Sequence, residues 1–204
     1  MPTHTRYRVD VIGDESQGGT YVLRIRVREP LAMPFGRFRK GKVIDVPAGD
    51  CLYIGSALAK KGGVSLARRL VRHASRTGDR QPHVMRDVLI ARFAEVGLGA
   101  GDLRPRKGKH LHWNVDHLLD RSEAELARVY AIRSEERLER AIGEMFLADP
   151  HVHVFEQGLG ANDLPGNTNI LHVNADEQWW GGLPTRVEAL LPAASDRLPQ
   201  HGVP

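Results

Sequence analysis

The sequence predicts an α/β protein of the α+β type: a small central antiparallel sheet of about three strands flanked by helices, with added C-terminal strands and an inserted helix-loop. Three observations carry that prediction. From Gly19 onward the chain alternates, with Tyr21, Leu23, Ile25 and Val27 on one side and Arg24, Arg26 and Arg28 on the other, the period of a half-buried strand. Residues 50–73 run from strand-favouring Cys51, Leu52, Tyr53 and Ile54 through glycine turns to apolar residues at helical spacing. Further on, Leu138, Ala141, Ile142, Met145 and Phe146 recur at i, i+3, i+4, the stripe of a helix that faces a core.

In chain order, residues 1–17 are a polar N-terminal extension in which Tyr7, Val9, Val11 and Ile12 offer a short added strand. After a loop broken by Pro and Gly, residues 42–47 read as a strand, and Ala48, Gly49 and Asp50 as a turn into the Tyr53 strand. These two strands are expected to pair antiparallel, with the Tyr21 strand as third member. Ser65 is a candidate N-cap for a helix that buries Leu66, Ala67, Leu70, Val71 and Ala74 and turns Arg68, Arg69, Arg72 and His73 elsewhere. Residues 77–108 form an insertion, helical over 83–96 and then a loop with the basic cluster Arg104, Arg106, Lys107 and Lys109. Residues 110–119 read as a short helix packed through Trp113, Val115 and Leu118, and 127–133 as a strand. Ser134 is the candidate N-cap of a helix running to about residue 147; short strands follow at 151–155 and around Ile170, Leu171 and Val173. A short helix over 184–191 and a flexible tail from 193 make up a C-terminal extension, 176–204, to a domain spanning 18–175.

A chain of 204 residues with 41% hydrophobic and 26% charged residues has the composition of one ordinary globular domain with additions. No apolar run reaches the roughly 18 residues of a membrane span, and the first residues lack a signal-peptide core, so the expectation is a cytoplasmic protein. Its single cysteine, Cys51, has no partner for an internal disulfide and reads as a small core residue. The net charge of +4 hides an asymmetry: residues 1–110 hold 22 Lys and Arg against 10 Asp and Glu, and residues 111–204 hold 7 against 15. The basic half suits a polyanionic partner.

Within that half, Tyr53 leaves a strand where Arg69 and His73 lie on the following helix, so a phenol, a guanidinium and an imidazole approach one glycine-lined corner suited to a phosphodiester. The triplets Gly19-Thr20-Tyr21 and Tyr53-Ile54-Gly55, followed by Leu66, Arg69 and His73 at L-x-x-R-x-x-x-H spacing, resemble the GIY-YIG nuclease superfamily. His112-Trp113-Asn114-Val115-Asp116-His117-Leu118-Leu119 and Gly158-Leu159-Gly160-Ala161-Asn162-Asp163 resemble an uncharacterised branch of it sometimes fused to endonuclease III-type repair glycosylases; the likeness covers about residues 18–173. The chain departs from that branch at Asn114, where a second histidine usually stands, and at Leu164, Gly166 and Asn169, which replace a Cys-x-Cys and a histidine.

The resemblance implies a Mg²⁺- or Mn²⁺-dependent endonuclease acting on DNA rather than RNA, in repair or processing, with a DNA-repair protein as a further partner and no membrane. It assigns Tyr21 and Tyr53 to water activation, Arg69 to the scissile phosphate, His73 to proton transfer or phosphate contact, Glu135 to the metal, and Asn169 to closing the site. A tyrosine, with an ordinary pKa of about 10, serves as a base only where cations favour its phenolate. On a helix starting near Ser134, Glu135 is the acid aimed at the edge of the apolar stripe; in a first turn it also suits the helix dipole without a metal. Lys60, Lys61, Arg68, Arg72, Arg104, Arg106, Lys107 and Asn169 are the candidate nucleic-acid contacts. A metal cluster of His110, His112, Asp116 and His117 would need convergence that one helix does not give, so helix anchoring is the expected use of those residues. The alternative to an enzyme is a nucleic-acid-binding module whose nuclease centre has decayed.

Overall fold

The computed structural model describes residues 7–59, 65–160 and 168–192. Its strands are β1 (Arg8–Gly13), β2 (Gly19–Val27), β3 (Leu31–Pro34), β4 (Val43–Val46), β5 (Gly49–Ala57), β6 (Ala124–Arg133), β7 (Val152–His153) and β8 (Ile170–Val173). Its helices are α1 (Leu66–His73), α2 (Met85–Glu95), α3 (Asn114–Leu119), α4 (Glu139–Leu147) and α5 (Glu177–Glu188). The mixed α and β class follows the sequence, but the main sheet is larger than the three strands expected. Six strands run in the order β1-β6-β2-β5-β8-β7, with β1 parallel to β6 and the other neighbours antiparallel.

The expected pairing of the 42–47 strand with the Tyr53 strand does not occur. β4 closes a separate two-stranded sheet with β3, while Gly49 and Asp50, read as turn, begin β5 itself and pair with Val27 and Arg26. Alternation decides this: Ile44 and Val46 of β4 and Leu31 and Met33 of β3 join one buried cluster from the same side of their hairpin. At the hairpin's tip Arg39 and Lys40 have φ of 44° and 59°, the only non-glycine residues in the left-handed region among those described. Such a conformation costs about 1–2 kcal/mol per residue.

β2 is not the half-buried strand that its alternation suggested. It lies between β6 and β5 with both faces covered, so Val22 is fully buried and Arg24 is 5% exposed. One face of the sheet carries Tyr21, Leu23, Tyr53 and Val129 against α1, α2, α3 and the β3–β4 hairpin. The other carries Val22, Leu52, Ile54, Tyr130 and Ile132 against α4 and α5. The stretches read as extensions take part in these layers: β1 completes the sheet edge, and α5 brings the fully buried Trp180, Leu183 and Val187 to the second face. That helix begins at Glu177 rather than near 184, because the Asp176 side chain accepts from Trp179 N at 2.9 Å and caps it. Pro184 lies within it. The expected tail from 193 lies outside the described residues.

Candidate active site

The site is a corner where β2, β5, α1 and α3 meet on the first face. Tyr21 of β2 and Gly55 of β5 are register partners, and a Cβ at Gly55 would stand 2.5 Å from the Tyr21 hydroxyl oxygen. The glycine of the Tyr53-Ile54-Gly55 triplet is therefore the space in which the Tyr21 ring lies. Gly19 meets a tighter limit, since a Cβ there would be 1.9 Å from the Ile132 carbonyl oxygen. Both triplets thus follow from how closely these strands approach.

Tyr21 and Tyr53 pack with ring centroids 6.0 Å apart, and each ring also meets His73. The Tyr21 hydroxyl lies 2.9 Å from His73 Nε2, and His73 Nδ1 lies 3.2 Å from Asp116 Oδ1. An ionised carboxylate only accepts, so Nδ1 carries the imidazole proton, Nε2 accepts, and Tyr21 O–H donates to it. Burial lowers the pKa of His73 against the pull of Asp116, which keeps the ring neutral in that tautomer. Burial would raise Asp116, but the His73 hydrogen bond and the charges of Lys109 and Arg72 outweigh it and hold the carboxyl well below its usual range. Tyr21, His73 and Asp116 form a hydrogen-bonded chain with the connectivity of a serine-histidine-aspartate triad, a phenol standing where the serine would.

Asp116 is the residue that sequence reasoning undervalued. As expected it anchors its helix, accepting from the His112 and Trp113 backbone N–H groups at 2.9 and 3.0 Å. It also accepts from Arg72 at 3.0 Å and lies 3.6 Å from Lys109 Nζ. Lys109, read with the surface cluster, is 4% exposed, and burial lowers its pKa to about 8 despite Asp116. The spacing from Lys109 to Asp116, one charge on each side of the Trp113 turn, was the signal available for it.

Arg69 and Arg72 of α1 each place the guanidinium carbon 4.4 Å from the centre of the Trp113 ring. Arg69 Nη1 donates to the Ser56 carbonyl at 2.6 Å, whereas Arg69 Nε and Arg72 Nη1 are buried with no hydrogen-bond partner. Two buried donors beside Trp113 are thereby left unsatisfied. Burial drives the Tyr21 and Tyr53 phenols well above their ordinary range, and Arg69 opposes it only in part. The expectation of a cation-favoured phenolate is therefore reversed by desolvation. A tyrosine here acts as a base only by giving its proton onward, and His73 is placed to receive the proton of Tyr21.

The acid is displaced from its expected position. Glu135 stands in an exposed bend, because α4 starts at Glu139 and not at Ser134, whose hydroxyl accepts from Glu136 N at 3.1 Å in a local turn. The helical angle that singled out Glu135 does not exist there. Glu139, half-buried at the start of α4, accepts from Asn169 Nδ2 at 2.7 Å, and Asn169 also donates to the Ile54 carbonyl within the Tyr53-Ile54-Gly55 triplet. Negative charge on Glu139 reaches both tyrosines and raises their pKa values.

A family model described as a domain of unknown function, DUF123, matches residues 20–190. The chain belongs to the DUF123 family. No curated protein and no solved structure matches it. The DUF123 match takes in Tyr21, Tyr53, Arg69, His73, Asp116, Glu139 and Asn169, and begins one residue after Gly19, short of β1.

Beside this DUF123 corner the structure collects most of the predicted basic residues. Arg68 and Arg72 of α1 line a groove of about 560 Å³ with Leu103, Arg104, Arg106 and Lys107. Arg72 joins the groove to the hydrogen-bonded chain through Asp116. Arg68 is tied to the Asp102 and Ala100 carbonyls, and Arg104 pairs with the exposed Asp102 and Asp87. Lys60 and Lys61, and the departures at Leu164 and Gly166, lie outside the described residues. Among the described residues no three His, Cys, Asp or Glu side chains gather as a metal cluster, and no helix is long and apolar enough to cross a membrane.

Proposed function

We propose that the chain is a metal-dependent phosphodiester hydrolase that cuts DNA, a member of the GIY-YIG nuclease superfamily acting in repair or processing beside a repair partner protein. The observation that carries the reading is the Tyr21-His73-Asp116 relay beside Arg69, whose buried Nε has no acceptor. A phosphoryl oxygen admitted beside Trp113 by a shift of these side chains would satisfy that donor and Arg72 Nη1, with charge-assisted bonds of the kind arginine makes to phosphate. The basic groove continues from Arg72 and suits the flanking backbone.

Tyr21 takes a proton from the attacking water as its own passes to His73 Nε2, and Asp116 steadies the imidazolium that forms. The water oxygen bonds to phosphorus, the ester P–O bond breaks, and the leaving oxygen takes a proton from solvent. Arg69 stabilises the charge that builds on the phosphoryl oxygens. Tyr53 packs against both Tyr21 and His73 and holds their rings in register.

Glu139 replaces Glu135 as the metal residue. One of its oxygens is engaged by Asn169, and a single half-buried carboxylate fits a hard cation such as Mg²⁺ or Mn²⁺ that keeps most of its water. Such an ion supplies charge neutralisation at the phosphoryl group.

The zero exposure of Tyr21 favours a second reading, a DNA-binding module with a silent centre, in which the tyrosines serve packing. Purified protein incubated with branched, nicked and duplex DNA and Mg²⁺ or Mn²⁺ separates the two. The enzyme cleaves, and cleavage disappears in Tyr21→Phe, Arg69→Ala and Glu139→Gln with metal-free DNA affinity kept in Glu139→Gln. Binding without cleavage under every metal and substrate selects the module.

A further inference from the structure

The β3–β4 hairpin ends in a basic tip that the corner does not use. The ten residues 34–43, PFGRFRKGKV, contain Arg37, Arg39, Lys40 and Lys42 and no acid, and all four cations are exposed. At its centre the chain holds Arg39 and Lys40 consecutively in left-handed backbone, inside a tight turn closed by Lys40 N to Arg37 O at 3.0 Å and Lys42 N to Arg39 O at 3.2 Å. Glycine or asparagine would occupy those positions with less strain. The Lys40 charge meets no counter-charge among the described residues and adjoins other cations on an exposed tip, so its strain and repulsion together point to a use outside the chain.

The tip is held at a defined place. Gly36 lies against the His117 ring of α3, one residue beyond Asp116, so closely that a Cβ would come within 2.7 Å of His117 Nε2. On its other side Arg39 donates to the Gln157 carbonyl at 3.1 Å and pairs with Glu156, which also meets Lys42 at 3.3 Å. That loop leads to Leu159, whose carbonyl accepts from Asn169 N at 2.8 Å. The tip therefore bridges the helix that carries Asp116 and the loop that aligns Asn169. Arg39 and Lys42 are spent in part on Glu156, while Arg37 and Lys40 form no ion pair among the described residues.

We infer that the 35–42 tip is a second nucleic-acid contact, with Arg37 and Lys40 binding the phosphate backbone beyond the corner. It rests on the nucleic-acid reading above. A strand seated at Arg69 would then be gripped by the basic groove through Arg72 and by the hairpin through its tip, two surfaces on different elements.

The test is the salt dependence of binding to a labelled duplex in metal-free buffer, for the full chain and for R37Q/K40N, in which asparagine tolerates the left-handed backbone. Each lost phosphate contact should lower the log-log slope by about 0.9, with affinity down roughly tenfold per charge near 0.1 M salt. A folded double variant with the wild-type slope overturns the inference and leaves the nuclease reading standing. Wild-type protein that binds no nucleic acid at all sinks both. Lys40→Gly gives an independent arm with opposite signs, since relieving the backbone should raise the melting temperature while binding weakens. Undiminished binding in that variant means the lysine charge contacts nothing and also overturns the inference. So does a loss of binding to anionic lipid vesicles in the double variant with DNA binding unchanged.

Discussion

Two arginines stacked on tryptophans, one on each face of the sheet, have opposite fates. Arg24 of β2 lies 4.7 Å from the Trp180 ring, and its nitrogens are all engaged: Nε and Nη2 on Asp50, Nη1 and Nη2 on Glu177. Arg69 of α1 lies 4.4 Å from Trp113, with one bond to a backbone carbonyl and a buried Nε that has none. Burial and an aromatic partner are common to both, so neither marks function. The difference lies in the counter-charge: two carboxylates complete Arg24 within the protein, whereas no carboxylate pairs with Arg69 among the described residues. An incomplete arginine is not by itself enough, because Arg128 Nη2 is also unpartnered beside Asp10; at Arg69 the relay stands next to it.

The contrast breaks most visibly if the two arginines are truncated in turn. Arg69→Ala should lower DNA cleavage at least 10²- to 10³-fold, the scale of one lost transition-state donor, with only a small change in the denaturant midpoint. Arg24→Ala should do the reverse, costing about 3 kcal/mol in chemical denaturation because Asp50 stays behind largely buried, while the folded fraction keeps its activity per molecule. Similar stability losses in both would mean that Arg69 is a second structural clamp.

Lys109 sharpens the comparison through pH. Its folded-state pKa of about 8 lies below the ordinary lysine value, so between these pH values the unfolded chain binds the extra proton and stability rises with pH. Urea titrations from pH 8 to pH 10 should show a gain of up to about 2–3 kcal/mol that is absent in Lys109→Met. Asp116 gives the opposite window: held below its unfolded value, it contributes above pH 4 or so and is lost on acidification. The smallest effect belongs to Glu135→Gln, which should change stability by less than about 0.5 kcal/mol and leave cleavage within twofold. A large loss there would return the metal role to the bend before α4.

Much of the corner was legible because its residues are fixed by backbone geometry. Strand alternation put Tyr21 on the inward row and helical spacing put Arg69 and His73 on one element, whereas Gly55, read as a turn, lies inside β5, where the lack of a side chain makes room for the Tyr21 ring. What escaped depended on distant partners. Glu135 and Glu139 both sit near a strong apolar stripe, and the bend over 134–138, where Ser134 accepts from Glu136 N instead of capping a helix, puts Glu139 at the start of α4 and leaves Glu135 outside it. Lys109 in a run of cations looks like solvated surface until the chain folds it against Asp116 and the His73 carbonyl. Arg24, in the outward row, is buried because α5 arrives from about 150 residues later with Glu177 and Trp180.

The order of strands also sets a timetable for the newborn chain. β2 has β6 as a neighbour, with Arg24 opposite Arg128 about a hundred residues downstream, an interval of roughly 5–20 s at usual rates of synthesis. Until β6 emerges, both edges of the β2–β5 pair are bare, since β8, the other neighbour of β5, is made later still. A stalled ribosome would therefore expose a sticky basic ribbon, and the pause between β5 and β6 is the interval in which a chaperone has most to protect.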